Sequence, residues 1–93
     1  MALARVVAFE GVTKERMDEV EREVQGDPPE GMPGAEIVVL NDPEAEKSLV
    51  IVFFDSEEDY NKGDEILNAM PTDDTPGRRA SVTKYEVGAR TTV

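Results

Sequence analysis

Two short runs, Ile37-Val38-Val39-Leu40 and Leu49-Val50-Ile51-Val52-Phe53-Phe54, constrain this chain more than any other feature. Both are rich in β-branched and aromatic residues, which fit a pleated strand. Both are also apolar at every position, whereas a strand with one face in water alternates apolar with polar. Only Asn41-Asp42-Pro43 and a short polar stretch separate them, so together they predict a hairpin. The chain must therefore build a sheet with a greasy surface on both sides.

The flanking segments supply the rest of that sheet and its cover. Residues 4–10 are β-prone and stop at Gly11, after which Thr13 can cap a helix carrying Met17, Val20 and Val24 at helical spacing. That helix ends near Gln25-Gly26, and the glycines and prolines of 26–34 predict a loop. Beyond the hairpin, Ser56 and Asp59 are spaced like a capping box at the start of a helix with Tyr60, Ile66, Leu67 and Met70 on one face, which Gly63 weakens without ending. Residues 71–79 read as a turn-rich connector and 81–90 as a last strand. The order β-α-β-β-α-β defines an α+β, ferredoxin-like domain: a four-stranded antiparallel sheet, strands one and three central, both helices on one face. A faint echo between Val6-Val7-Ala8-Phe9-Glu10 and Ile51-Val52-Phe53-Phe54-Asp55, each leading to a helix cap, agrees with two similar halves. At 93 residues the chain has room for this single domain, 1–93, and for one modest core.

If both helices cover one sheet face, the apolar residues of the hairpin leave the other face as a contiguous patch that a monomer does not tolerate in water. A second copy packed sheet against sheet buries the same patch twice over, so a homodimer is expected. The alternative cover is the 26–34 loop. With 21 acidic against 10 basic residues the formal charge is -11, a field that repels phosphate backbones and anionic headgroups; neither nucleic acid nor a membrane surface is an expected partner. Cysteine is absent, which removes disulfides, thiolate metal sites and a cysteine nucleophile. The first residues lack the basic and apolar regions of a secretion signal, and the longest apolar run is far short of a membrane span, so a cytoplasmic location is expected.

The run Phe53-Phe54-Asp55-Ser56-Glu57-Glu58-Asp59 into a helix, then Asn68-Ala69-Met70-Pro71 and the Thr75-Pro76-Gly77-Arg78-Arg79 turn before a tyrosine-bearing strand, resembles small bacterial members of the dimeric α/β-barrel superfamily. That group includes cofactor-free antibiotic-biosynthesis-type monooxygenases, haem-degrading monooxygenases, muconolactone-isomerase-like proteins and ligand-sensing domains. The resemblance covers the whole chain and implies the ferredoxin-like fold and the dimer. It does not carry over the enzymes' chemistry. The chain has no histidine for a haem ligand or an imidazole catalyst, and no tryptophan, an aromatic common in the oxygenase pockets. No cofactor is expected.

No spacing in the chain specifies a reaction, and the catalytic residues stay unassigned. Four polar side chains are candidates to line a ligand cavity between sheet and helices: Arg5 on strand one, Tyr60 and Asn68 on the second helix, and Tyr85 on strand four. Strand four alternates Thr83, Tyr85 and Val87 with Lys84 and Glu86, and the less polar set is expected to face the helices, with Tyr85 as anchor. Arg5 is expected to keep its charged head in water while its stem covers apolar surface. Arg78 and Arg79 form a weaker anion candidate, opposed by Asp73 and Asp74. The acids at 55, 57, 58 and 59 oppose a helix macrodipole and need no metal to explain them. Two functions fit: a protein binding a small organic ligand, cofactor-independent and oxygenase-like at most, or a non-catalytic dimerisation or ligand-sensing module.

Overall fold

The computed structural model describes residues 2–26, 31, 33, 36–69 and 77–91. Its elements are β1 (Leu3–Glu10), α1 (Lys14–Gln25), β2 (Glu36–Asp42), β3 (Lys47–Phe54), α2 (Glu57–Asn68) and β4 (Arg78–Glu86). The strands form one sheet in the order β2-β3-β1-β4, with every neighbouring pair antiparallel. β1 and β2 thus run parallel with β3 inserted between them, the split arrangement that the element order predicts. Thr13 and Ser56 cap the two helices, each hydroxyl accepting a hydrogen bond from the backbone N–H three residues on.

Register sorts the side chains into two faces. Leu3 pairs with Phe54, Arg5 with Val52 and Val7 with Val50, so these residues share one side of the sheet. Both helices lie on that side. Leu3, Val52, Phe54 and Tyr60 form the core under α2, and Val7, Phe9, Val12 and Met17 form the core under α1, with Val50 packed against both. Burying one such side chain stabilises by about 1.5–3 kcal/mol, and Phe54, Leu3, Val7 and Val12 are the largest that are fully enclosed.

The other face holds Val38 and Leu40 of β2, Leu49, Ile51 and Phe53 of β3, and Thr83 and Tyr85 of β4. Leu40 is 50% and Tyr85 55% exposed. Residues 27–30, 32 and 34 of the loop considered as a cover lie outside the described residues, as do Ala35, Met70 of the expected helix face and 71–76 of the connector.

Strand four departs from its expected bounds. It begins at Arg78 because the ladder with β1 continues to Glu10, past a bulge between Ala8 and Phe9, and Arg78 there meets Glu10 at 2.8 Å. It ends at Glu86 because β1 has run out: the last bond goes from the Val87 N–H to the Ala2 carbonyl. The chain then leaves the sheet, and the Arg90 guanidinium stacks 4.2 Å from the centroid of the Phe53 ring and pairs with Glu36.

Candidate functional site

On α2, Tyr60, Asp64 and Asn68 recur every four residues and so share the stripe that faces β1 and β4. Across from them on the sheet stands Arg5, between Leu3 of one core cluster and Val7 of the other. Only 3% of Arg5 is exposed. A guanidinium cannot be dehydrated there unless its N–H groups are met. Its Nε donates to Asp64 Oδ1 at 2.7 Å and its Nη2 to Asn68 Oδ1 at 3.0 Å. Asn68 Nδ2 donates in turn to Asp64 Oδ2 at 3.2 Å, closing a triangle.

A second arginine reaches the same atom. Arg79 Nη1, at the start of β4, donates to Asn68 Oδ1 at 3.0 Å. Two guanidinium groups thus converge on one amide oxygen, which dictates the amide's orientation, since an NH2 group there would face donors only. Beside this cluster Tyr60 packs edge-on against Phe54, ring centroids 5.5 Å apart. Lys84 of β4 lies 4.8 Å over the Tyr60 ring and pairs with Glu57 at 3.0 Å. Burial pushes the Tyr60 phenol above its ordinary range, the Asp64 charge pushes it further, and Arg5 and Lys84 oppose the shift.

The structure brings together three of the four side chains expected to line a cavity, Arg5, Tyr60 and Asn68, and adds Arg79. It corrects three expectations. Arg5 does not keep its head in water but buries it against Asp64 and Asn68. Tyr85 does not point between sheet and helices: Lys84 pairs with Arg5 and Glu86 with Leu3, so Lys84 and Glu86 take the helix side and Tyr85 opens on the far face. Ranking the two alternating sets by polarity misleads here, because a lysine stem can cross an aromatic ring while its ammonium reaches a carboxylate. Arg78 and Arg79 do not act as a pair, since Arg78 turns to Glu10. Asp73 and Asp74 lie outside the described residues. Asp64 is the member that sequence reasoning missed; its spacing from Tyr60 and Asn68 was the available signal.

These elements define the class: a ferredoxin-like α+β domain. No protein-family model matches the chain, and no curated protein matches it. Among solved structures it is similar to a "putative antibiotic biosynthesis monooxygenase" from Chloroflexus aurantiacus J-10-fl, with a TM-score of 0.61 and 15% identity over 98% of each chain. That likeness is one of fold along nearly the whole length. No helix among the described residues is long and apolar enough to cross a membrane.

Proposed function

We propose that this chain is a homodimeric protein that binds a small organic ligand on the helix side of its sheet. The observation that carries the reading is the convergence of Arg5 and Arg79 on one oxygen at the C-terminal end of α2, at the edge of the apolar layer under that helix. A polar group fixed at the edge of an apolar layer orients a ligand whose body packs on that layer. Cofactor-independent oxygenase chemistry on such a ligand is the enzymatic form of this reading, and it draws support from the name of the structural neighbour. The open sheet face, on which Leu40, Leu49 and Tyr85 are all exposed, supports the dimer.

The test is a thermal-shift screen of the wild type and Arg5→Met against fractionated metabolite pools. A ligand that binds only the folded state raises the midpoint by mass action. A fraction that stabilises the wild type but not Arg5→Met is the expected result. Absence of any such fraction overturns the ligand reading and leaves the dimerisation module, which the exposure of Tyr85 on the open face independently favours.

A further inference from the structure

We propose that the ligand of this site is a monoanion with an apolar body, an organic carboxylate, whose oxygen replaces the Asn68 amide oxygen between Arg5 and Arg79. The inference rests on the ligand reading above and gives it a chemical class. Asn68 Oδ1 accepts from Arg5 Nη2 and from Arg79 Nη1, both at 3.0 Å. An amide oxygen carries only a partial charge, whereas a carboxylate oxygen between the same donors forms charge-assisted bonds roughly twice as strong. Asn68 ends α2 and is itself exposed, so its side chain has somewhere to go when displaced.

Charge sets the ligand's valence. The cluster holds two guanidinium groups and, among the described residues, one carboxylate, Asp64, which accepts from Nε of Arg5 while Nη2 is met by the neutral Asn68 oxygen. Among the described residues, the second positive charge has no carboxylate against it. A single carboxylate neutralises it, while a dianion such as a phosphate monoester adds a charge with no partner in a chain already at -11. Lys84 contributes little, being paired with Glu57. Leu67, next to Asn68 on α2 and half-buried against the core under that helix, offers apolar surface for the ligand's body.

Three probes with one phenyl body separate the possibilities: benzoate, its neutral isostere benzamide and dianionic phenyl phosphate, each titrated to about 10 mM, where a fragment of this size is expected to bind. The readout is the 15N-edited NMR signals of the Asn68 side-chain amide and the Arg5 and Arg79 Nε–H groups. Benzoate should shift all three, with benzamide and phenyl phosphate at least about tenfold weaker. Arg79→Gln should weaken benzoate about tenfold, whereas Arg78→Gln, which removes the same charge one residue away on Glu10, should leave it unchanged. Equal weakening by both variants means a diffuse field, not a site, and overturns the proposal. If benzamide or phenyl phosphate moves the cluster signals and benzoate does not, the carboxylate class is wrong while the ligand reading stands. If no probe moves them and the metabolite screen is also empty, both fall.

Discussion

Removing the Asp64 carboxylate should destabilise the fold far more than removing the arginine it serves. In Asp64→Ala the Arg5 guanidinium stays where the sheet puts it, 3% exposed and without its 2.7 Å acceptor. Stranding a fully buried charge costs about 3–5 kcal/mol. Two features lower that figure: the Asp64 side chain is itself 34% exposed, so water reaches the vacated position, and Asn68 Oδ1 still accepts from Nη2. About 2 kcal/mol is the expected loss, or roughly 8–16 °C in Tm for a domain of this size. Arg5→Met removes the charge instead and fills the space with an apolar stem, leaving Asp64 and Asn68 free to turn to water. Its expected change is within about 1 kcal/mol. The double variant should therefore regain most of the stability lost in Asp64→Ala, a coupling of about 1–2 kcal/mol. Urea denaturation followed by circular dichroism gives each value from the midpoint at constant slope. An Asp64→Ala protein as stable as the wild type, or an Arg5→Met protein less stable than Asp64→Ala, would refute the reasoning.

Tyr60 links the site to alkaline stability: its phenol titrates higher in the folded state than the ordinary 10.0 of the unfolded chain, so its contribution is complete below that pH and is lost as pH rises toward the folded value. Tyr60→Phe should flatten the decline in urea midpoint above pH 10, and an unchanged slope counts against the assignment. Gly77 permits the close approach of chain segments at the start of β4, since a Cβ there would stand 2.6 Å from the Glu10 carbonyl and 3.0 Å from Val12 Cγ2. Gly77→Ala should cost about 1–3 kcal/mol by the same denaturation assay, and a neutral result means the backbone yields there. Leu40→Lys, at a half-exposed position of the open face, should leave the stability of a single subunit within about 0.5 kcal/mol while reducing the mass at sedimentation equilibrium from two chains to one. A wild type that sediments as one chain rules out the dimer directly.

Elements were legible in the sequence where local chemistry decides them, and faces were not where a distant partner decides them. Thr13 and Ser56 announce their helices because a cap acts within three residues, and the hairpin of β2 and β3 follows from two apolar runs joined by Asn-Asp-Pro. The start of β4 was hidden because Arg78 and Arg79 look like connector; they become strand only because Glu10 and Phe9 extend β1 alongside them. Three members of the site were visible in the sequence: Arg5 as a charge within a β-prone strand, and Tyr60 and Asn68 as candidates on the second helix. What could not be read was that Arg5 and Asp64, 59 positions apart, meet at 2.7 Å, since that depends on the height at which α2 crosses β1. The burial of Arg5 follows from the same contact.

The alternation of β4 gives neighbouring residues separate tasks, and that supplies a last prediction. Lys84 faces α2, its ammonium on Glu57 and over the Tyr60 ring, whereas Tyr85 lies on the open face opposite Ala4. Because successive side chains of a strand point to opposite sides, a change at one should not reach the surface served by the other. Lys84→Met keeps the stem over Tyr60 and removes the ammonium, so binding of benzoate should change modestly while the sedimenting mass stays that of two chains. Tyr85→Lys puts a charge into the face expected to be buried between subunits, where an unpaired ammonium costs several kcal/mol, so the mass should fall to one chain while the Asn68 and Arg5 signals still respond to benzoate. The two variants together distinguish assembly from ligand binding on a single strand. If Tyr85→Lys instead abolishes the benzoate response in a folded monomer, the site is completed by the second subunit, and the division between the two faces is wrong.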